Sequence, residues 1–155
     1  MKARSDPGLF HVEDVLRSNA LIPELAVQSL GESLAFYRDL LGFAVAYARP
    51  EEGFAFLQLG DAQLMLDQIG LGRTFDADGP LSRPLGRGLN LQIEVSAVQP
   101  LLQALERANW PLYLPPEEKW YRRGGEELGQ RQFVVADPDG YLLRPFERLG
   151  PRRLA

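Results

Sequence analysis

The sequence predicts an α+β fold made of one unit that occurs twice. Each copy has a short apolar strand, an amphipathic helix and then further strands that end in a tight turn. The strand and helix occupy Leu25–Gly42 in the first copy and Leu91–Trp110 in the second, with Leu25 matching Ile93. A duplicated strand-helix-strand unit builds one concave surface from two halves, and such a surface suits a ligand.

Composition limits the classes of protein that this chain can belong to. Its 155 residues, 45 % apolar and 25 % charged, suffice for one domain or two small halves with a buried core. We find no apolar run long enough for a membrane span and no signal peptide, and expect a cytoplasmic protein. Without cysteine there are no disulfides or thiolate metal sites. The net charge of −4 disfavours nucleic acid and favours a cationic ligand.

Segments rich in glycine and proline separate the two copies and mark the predicted boundaries. These are an N-terminal extension with a short helix (1–19), a first module (20–69), a linker (70–88), a second module (89–148) and a tail (149–155).

Each predicted helix has start and stop signals. Ser29 with Glu32 three residues later forms a capping box, and Gly42 ends the first helix. Ser96 and Gln99 form the corresponding capping box of the second helix.

The remaining segments are predicted as turns, strands and one irregular loop. Gly60–Asp61 is a hairpin turn, and Asp137–Gly140 is a turn because proline fixes φ and glycine supplies a positive φ. The segment Pro111–Gly129 is predicted to be irregular and to carry Trp120 and Tyr121. This amphipathic loop either folds over a ligand, or its aromatic residues pin the loop in place or form a dimer contact.

Alternation along the strands gives each sheet two unlike faces. One face is apolar and packs on the helices. The other, which we call the distal face, mixes carboxylates, amides and apolar groups, and suits a sizeable polar, cationic and partly aromatic ligand. The same alternation is also typical of any antiparallel sheet with one solvated face.

The candidate ligand-binding residues lie on this distal face or in the predicted loop. They are Glu24, Phe56, Met65, Asp67, Asn90, Gln92, Glu94, Trp120, Tyr121, Arg144 and Phe146. Arg144 is either a ligand contact or the ion-pair partner of Glu24, Asp67 or Glu94, and we favour the ion pair because an unpaired buried charge is costly. No catalytic constellation is apparent, since the repeat contains no histidine.

Two motifs resemble the signatures of the vicinal oxygen chelate superfamily, which includes glyoxalases, dioxygenases and bleomycin resistance proteins. They are Ala35–Phe43 and Asp137–Arg144, and the resemblance extends from about Leu21 to Arg148. It implies paired βαβββ modules with sheets that curl around a cleft, and often a homodimer. The start of the first strand, Ile22-Pro23-Glu24, is most similar to bleomycin resistance proteins.

Members of this superfamily hold a divalent metal with His, Gln or Glu near the start and end of each module. The matching positions here are Ile22, Met65, Asn90 and Arg144, which are poor ligands. The only histidine, His11, precedes the repeat. We therefore expect no metal and no other cofactor.

These observations favour a homodimer that binds a small molecule without a metal, in the manner of bleomycin resistance proteins, and that sequesters a cationic aromatic drug-like ligand in the dimer cleft. One alternative is a glyoxalase-like or dioxygenase-like enzyme, with a metal or with Glu24 or Glu94 as a metal-free base. Another is a structural or regulatory module whose cleft is filled by its own side chains. Neither nucleic acid nor a membrane is an expected partner.

Overall fold

The computed structural model describes residues 17–155, so His11 and most of the predicted N-terminal extension lie outside the described residues. The chain divides into two compact units, one up to Leu81 and the other Ser82–Ala155. In the described part of the chain, no helix is long and apolar enough to span a membrane.

The two units have the same order of elements. The first contains β1 (Glu24–Val27), α1 (Leu30–Leu34) continued by a π-helical segment (Ala35–Leu40), β2 (Ala44–Arg49), a 3₁₀ turn (Pro50–Glu52), β3 (Phe54–Leu59) and β4 (Ala62–Gln68). The second contains β5 (Asn90–Glu94), α2 (Gln99–Arg107), β6 (Leu114–Arg123), β7 (Glu126–Ala136) and β8 (Leu142–Arg153).

Each unit is a βαβββ module with one mixed four-stranded sheet, which confirms the predicted fold class. Sheet 1 has the strand order β1-β4-β3-β2, and sheet 2 has the equivalent order β5-β8-β7-β6. In both sheets the first strand runs parallel to the last, while the other pairs are antiparallel. The helix supplies the crossover that a parallel pair requires.

The core of each unit lies on the apolar face of its sheet. In sheet 1 the buried side chains of Leu25, Val27 and Leu66 belong to this face, as the alternation predicts. Phe36 and Tyr37 are fully buried in the helical segment, with their rings edge-to-face and 5.1 Å apart. Burial of such large apolar groups is the main favourable term in folding.

The first helix begins and ends as predicted, but its second half is π-helical. The Ser29 hydroxyl accepts a hydrogen bond from the Glu32 backbone N–H at 3.2 Å, as in an N-cap. After Leu34 the helix widens into a π-helical segment, in which the Leu41 N–H reaches the Phe36 carbonyl five residues back. Gly42 then ends it with a φ of 82°.

The predicted cap of the second helix is wrong. Helix α2 begins at Gln99 after Val98, whose side chain makes no capping hydrogen bond, and Ser96 lies three residues upstream. Pro100 occupies the first turn, where its missing N–H removes one of the donors that a cap would satisfy.

The predicted irregular loop around Trp120 and Tyr121 is also wrong, because most of it is strand β6, paired with β7. Trp120 lies over Gly129, where a Cβ atom would collide with its ring. Strand β8 continues to Arg153 and so includes most of the segment predicted as a tail.

The Asp137–Gly140 turn is a buried hydrogen-bonded structure. The Asp137 Oδ1 atom accepts from the backbone N–H groups of Asp139 and Tyr141, each at 2.9 Å. Asp139 in turn accepts from the Arg83 Nε at 3.1 Å, and Gly140 has a φ of 95° with Pro84 packed against it. The turn therefore ties the predicted linker to the end of β7.

We expect Asp137→Ala to lower the free energy of unfolding by about 2–3 kcal/mol, because two buried N–H groups lose their acceptor. The measurement is urea unfolding. The matched control is Asp61→Ala in the exposed β3–β4 turn, for which a change within about 0.5 kcal/mol is expected. Equal effects of the two substitutions would contradict this account of the turn.

Candidate functional site

The distal face of sheet 1 brings together all four candidate residues predicted in the first module. The parallel register places Glu24 opposite Met65. The antiparallel register places Phe56 opposite Met65 and Phe54 opposite Asp67, so these side chains share one face.

An aromatic cluster forms one side of this face. The Tyr47 ring stacks on Phe56 with centroids 5.1 Å apart, and the Arg49 guanidinium lies 4.0 Å from the centre of the Phe54 ring. Phe56 is buried beneath Tyr47. Sequence reasoning missed Tyr47 because strand β2, interrupted by a bulge between Val45 and Tyr47, shows no clear alternation.

Two carboxyl groups lie side by side next to these rings. Partial burial raises the pKa of Glu24, and the neighbouring Asp67 carboxyl raises it further by hydrogen bonding and by its charge. Asp67 is only 9 % exposed. It occupies the space that a Cβ atom at Gly72 would fill, so the absence of a side chain there makes room for the carboxylate.

These groups line a pocket of about 370 Å³ in the first unit. Its lining includes Glu24, Tyr47, Arg49, Phe54, Met65 and Asp67. Although Arg49 lies at the pocket, its Nε donates to Glu52 at 2.6 Å, so its charge is already paired. The pocket thus holds two adjacent carboxyl groups beside aromatic rings, with Arg73 as a second arginine in its lining.

The distal face of sheet 2 carries six of the seven candidate residues predicted in the second module. The parallel register places Asn90 opposite Leu142, Gln92 opposite Arg144 and Glu94 opposite Phe146. Tyr121 reaches the same face from β6, since Arg144 Nη1 lies 3.5 Å from its hydroxyl oxygen.

Arg144 does not form the predicted ion pair with Glu94, the one of its three proposed partners that lies in the same unit. Glu94 is held by Arg148, whose Nε and Nη2 donate to its two carboxylate oxygens at 2.7 and 3.1 Å. This hydrogen bond lowers the pKa of Glu94. Within the second unit no carboxylate lies at ion-pair distance from Arg144, although its Nε atom is buried.

Trp120 and Tyr121 do not form one stacking surface, because consecutive residues of a strand point to opposite faces. The Tyr121 hydroxyl accepts from Gln132 Nε2 at 2.8 Å on the distal face. Trp120 lies on the other face beneath Arg152, whose guanidinium is 3.9 Å from the ring centre. Sequence reasoning missed Gln132, although the Gln130-x-Gln132 alternation within a predicted strand is a signal that can be recognised.

The superfamily's metal positions do not fit a divalent cation in this chain. Ile22 and Met65 offer no oxygen or nitrogen donor, and Arg144 brings a permanent positive charge. Within residues 17–155, no three His, Cys, Asp or Glu side chains converge as a metal site requires.

Comparisons with known proteins agree with this architecture. The model of the Glyoxalase/Bleomycin resistance protein/Dioxygenase superfamily matches residues 9–144. Bleomycin resistance proteins from Geobacillus stearothermophilus and Staphylococcus aureus are each 29 % identical over 140 residues, covering 83 % of this chain and 96 % of the relative.

Two solved structures show the same fold. TioX from Micromonospora sp. ML1 has a TM-score of 0.64 at 20 % identity, covering 85 % of this chain and 100 % of that one. A virulence protein from Salmonella typhimurium has a TM-score of 0.62 at 18 % identity, covering 84 % and 96 %.

The carboxyl pair predicts a pH-dependent stability. Because the folded state raises the pKa of Glu24, its ionised form is disfavoured on folding, and this cost is absent below the ordinary pKa of a glutamate and grows as the pH rises toward the raised one. Glu24→Gln removes the ionisation. We therefore expect the variant to gain stability relative to the wild type from about pH 4 to about pH 7 in urea unfolding.

Glu94→Gln is the matched control with the opposite sign. The folded state lowers the pKa of Glu94, so the stability that its ionised form contributes is present at neutral pH and lost as the pH falls. This variant is expected to lose stability relative to the wild type as the pH rises. Parallel trends for the two variants would contradict the assignment.

Proposed function

The chain belongs to the glyoxalase/bleomycin resistance protein/dioxygenase superfamily, and from this premise we propose that it binds and sequesters a cationic, partly aromatic small molecule without a metal. The observation that carries the proposal is the pocket of the first unit, in which Glu24 and Asp67 lie beside Tyr47 and Phe54.

The chemistry of this pocket matches such a ligand in two ways. A cationic group next to the paired carboxyls would form charge-assisted hydrogen bonds and remove the repulsion between them. A flat ring would stack on the exposed side of Tyr47, which is already held parallel to Phe56 at 16°. The net charge of −4 favours the approach of a cation to the whole molecule.

The relatives support a drug-like ligand in particular. Two of them bear the name bleomycin resistance protein and are matched over nearly their whole length. The donor set at the superfamily's metal positions supports binding without a metal, since Arg144 replaces a ligand there with a cation.

The proposal includes a homodimer that acts in the cytoplasm. Its support is the superfamily resemblance, in which a second copy often completes the ligand cleft. Light scattering measures whether the chain is a dimer. The titration below then gives the number of ligands bound per dimer.

We expect metal-free bleomycin to bind saturably in calorimetry, with one or two ligands per dimer. Glu24→Gln and Asp67→Asn should each weaken binding about tenfold, the effect of losing about 1.4 kcal/mol of charge-assisted contact. The control Glu118→Gln removes an exposed carboxylate on β6 and should bind as the wild type does. No saturable binding, or variants as tight as the wild type, would overturn the proposal.

A second candidate function is metal-free acid–base catalysis by Glu24. A raised carboxyl pKa suits a general acid or base, and Glu24 has this property whereas Glu94 has a lowered pKa. This observation keeps an enzyme as the alternative.

Mass spectrometry of the ligand separates the two functions. After prolonged incubation with an equal amount of protein, bleomycin is expected to be recovered with its mass unchanged, because sequestration breaks no bond. A product that forms with the wild type and not with Glu24→Gln would assign the enzyme instead.

A further inference from the structure

The distal face of sheet 2 carries a directed chain of hydrogen bonds. Gln130 Nε2 donates to Gln132 Oε1 at 2.6 Å. Gln132 Nε2 donates to Glu117 Oε1 at 2.9 Å and to the Tyr121 hydroxyl at 2.8 Å. Because Glu117 Oε1 accepts from Gln132 Nε2, it fixes which end of the Gln132 amide faces Tyr121. Gln132 is 2 % exposed, and all its polar groups are satisfied.

This chain determines the direction of the Tyr121 hydroxyl proton. The hydroxyl oxygen faces one donor from Gln132 at 2.8 Å and a second, more distant one from Arg144 Nη1 at 3.5 Å. A phenol oxygen carries one proton besides its acceptor positions, so this proton points away from both donors. Among residues 17–155 no acceptor takes it, and Tyr121 is 37 % exposed.

Arg144 has donors that the fold leaves unused. Its Nε atom is buried and lacks a hydrogen-bond partner among the described residues. Arg148 lies on the same strand and the same face as Arg144. Unlike Arg144, it donates two hydrogen bonds to a carboxylate, that of Glu94. An incoming oxyanion would meet the terminal Nη groups of Arg144, whose one contact among residues 17–155 is the 3.5 Å approach to the Tyr121 hydroxyl.

We propose that Tyr121 and Arg144 form an oxyanion-binding site on the second unit, which takes a carboxylate or phosphate group of a small molecule. The guanidinium supplies a permanent positive charge and a planar set of donors that matches an oxyanion, while the Tyr121 hydroxyl adds a neutral donor.

This site differs in charge preference from its counterpart in the first module. The registers make the pair Gln92 and Arg144 equivalent to Glu24 and Met65. At these equivalent positions the first module thus has a carboxyl group and a thioether, whereas the second has an amide and a guanidinium. The oxyanion site does not rest on the proposed binding of a cation, and each can fail without the other.

Arginine side-chain NMR tests the site directly, because each Nε–H group gives its own signal. The full chain, labelled with ¹⁵N, is titrated with inorganic phosphate and separately with benzoate, with chloride at equal ionic strength as the reference. We expect the Arg144 Nε–H signal to shift saturably while that of Arg148, already bound to Glu94, stays in place. The anion with the lower Kd identifies the preferred oxyanion.

Two variants complete the experiment. Tyr121→Phe should raise the Kd of the preferred anion about tenfold, since one donor is lost. Arg107→Gln, at the exposed end of α2, should leave the Arg144 response unchanged, with the backbone amide spectrum confirming that each variant is folded. An Arg144 signal that shifts no more than that of Arg148, or a Tyr121→Phe variant with wild-type affinity, would overturn the proposal whatever the bleomycin titration shows.

Discussion

In each unit the first strand of the module runs parallel to the last, and this pairing decides which side chains share a surface. The crossover helix brings residues far apart in the chain into register. Leu25 opposite Leu66 belongs to the core side, and Glu24 opposite Met65 to the distal side. A slip of one residue would expose the leucines and bury the carboxylate, so the packing of the core also fixes the composition of the distal face.

The parts of the fold that could be predicted from the sequence depend on neighbours in the chain or on apolar burial. The repeat, the alternation of the strands and the cap at Ser29 are of this kind. Strand β6 could not be predicted, because a segment rich in proline and charge becomes a strand only by pairing with β7. The cap at Ser96 failed because Pro100 changes where the second helix can begin.

The candidate site could be predicted as a face but not as a set of partners. The alternation places Glu24 and Asp67 together, and they are neighbours in the structure. The partner of Glu94 could not be chosen in this way. Glu94 lies opposite Phe146, and Phe146 has Arg144 two residues before it and Arg148 two residues after it. Both arginines are diagonal neighbours on one face, and only side-chain geometry selects Arg148.

Gly72 is a position where the loop after β4 meets the carboxyl pair. Its φ lies outside the left-handed region, so the backbone there accepts other residues, and the obstacle to a side chain is the Asp67 carboxylate. A substitution by an uncharged residue would move this carboxylate while leaving every charge in place. In evolutionary terms, the position of the Asp67 carboxylate can change through an uncharged loop residue while both sheets stay intact.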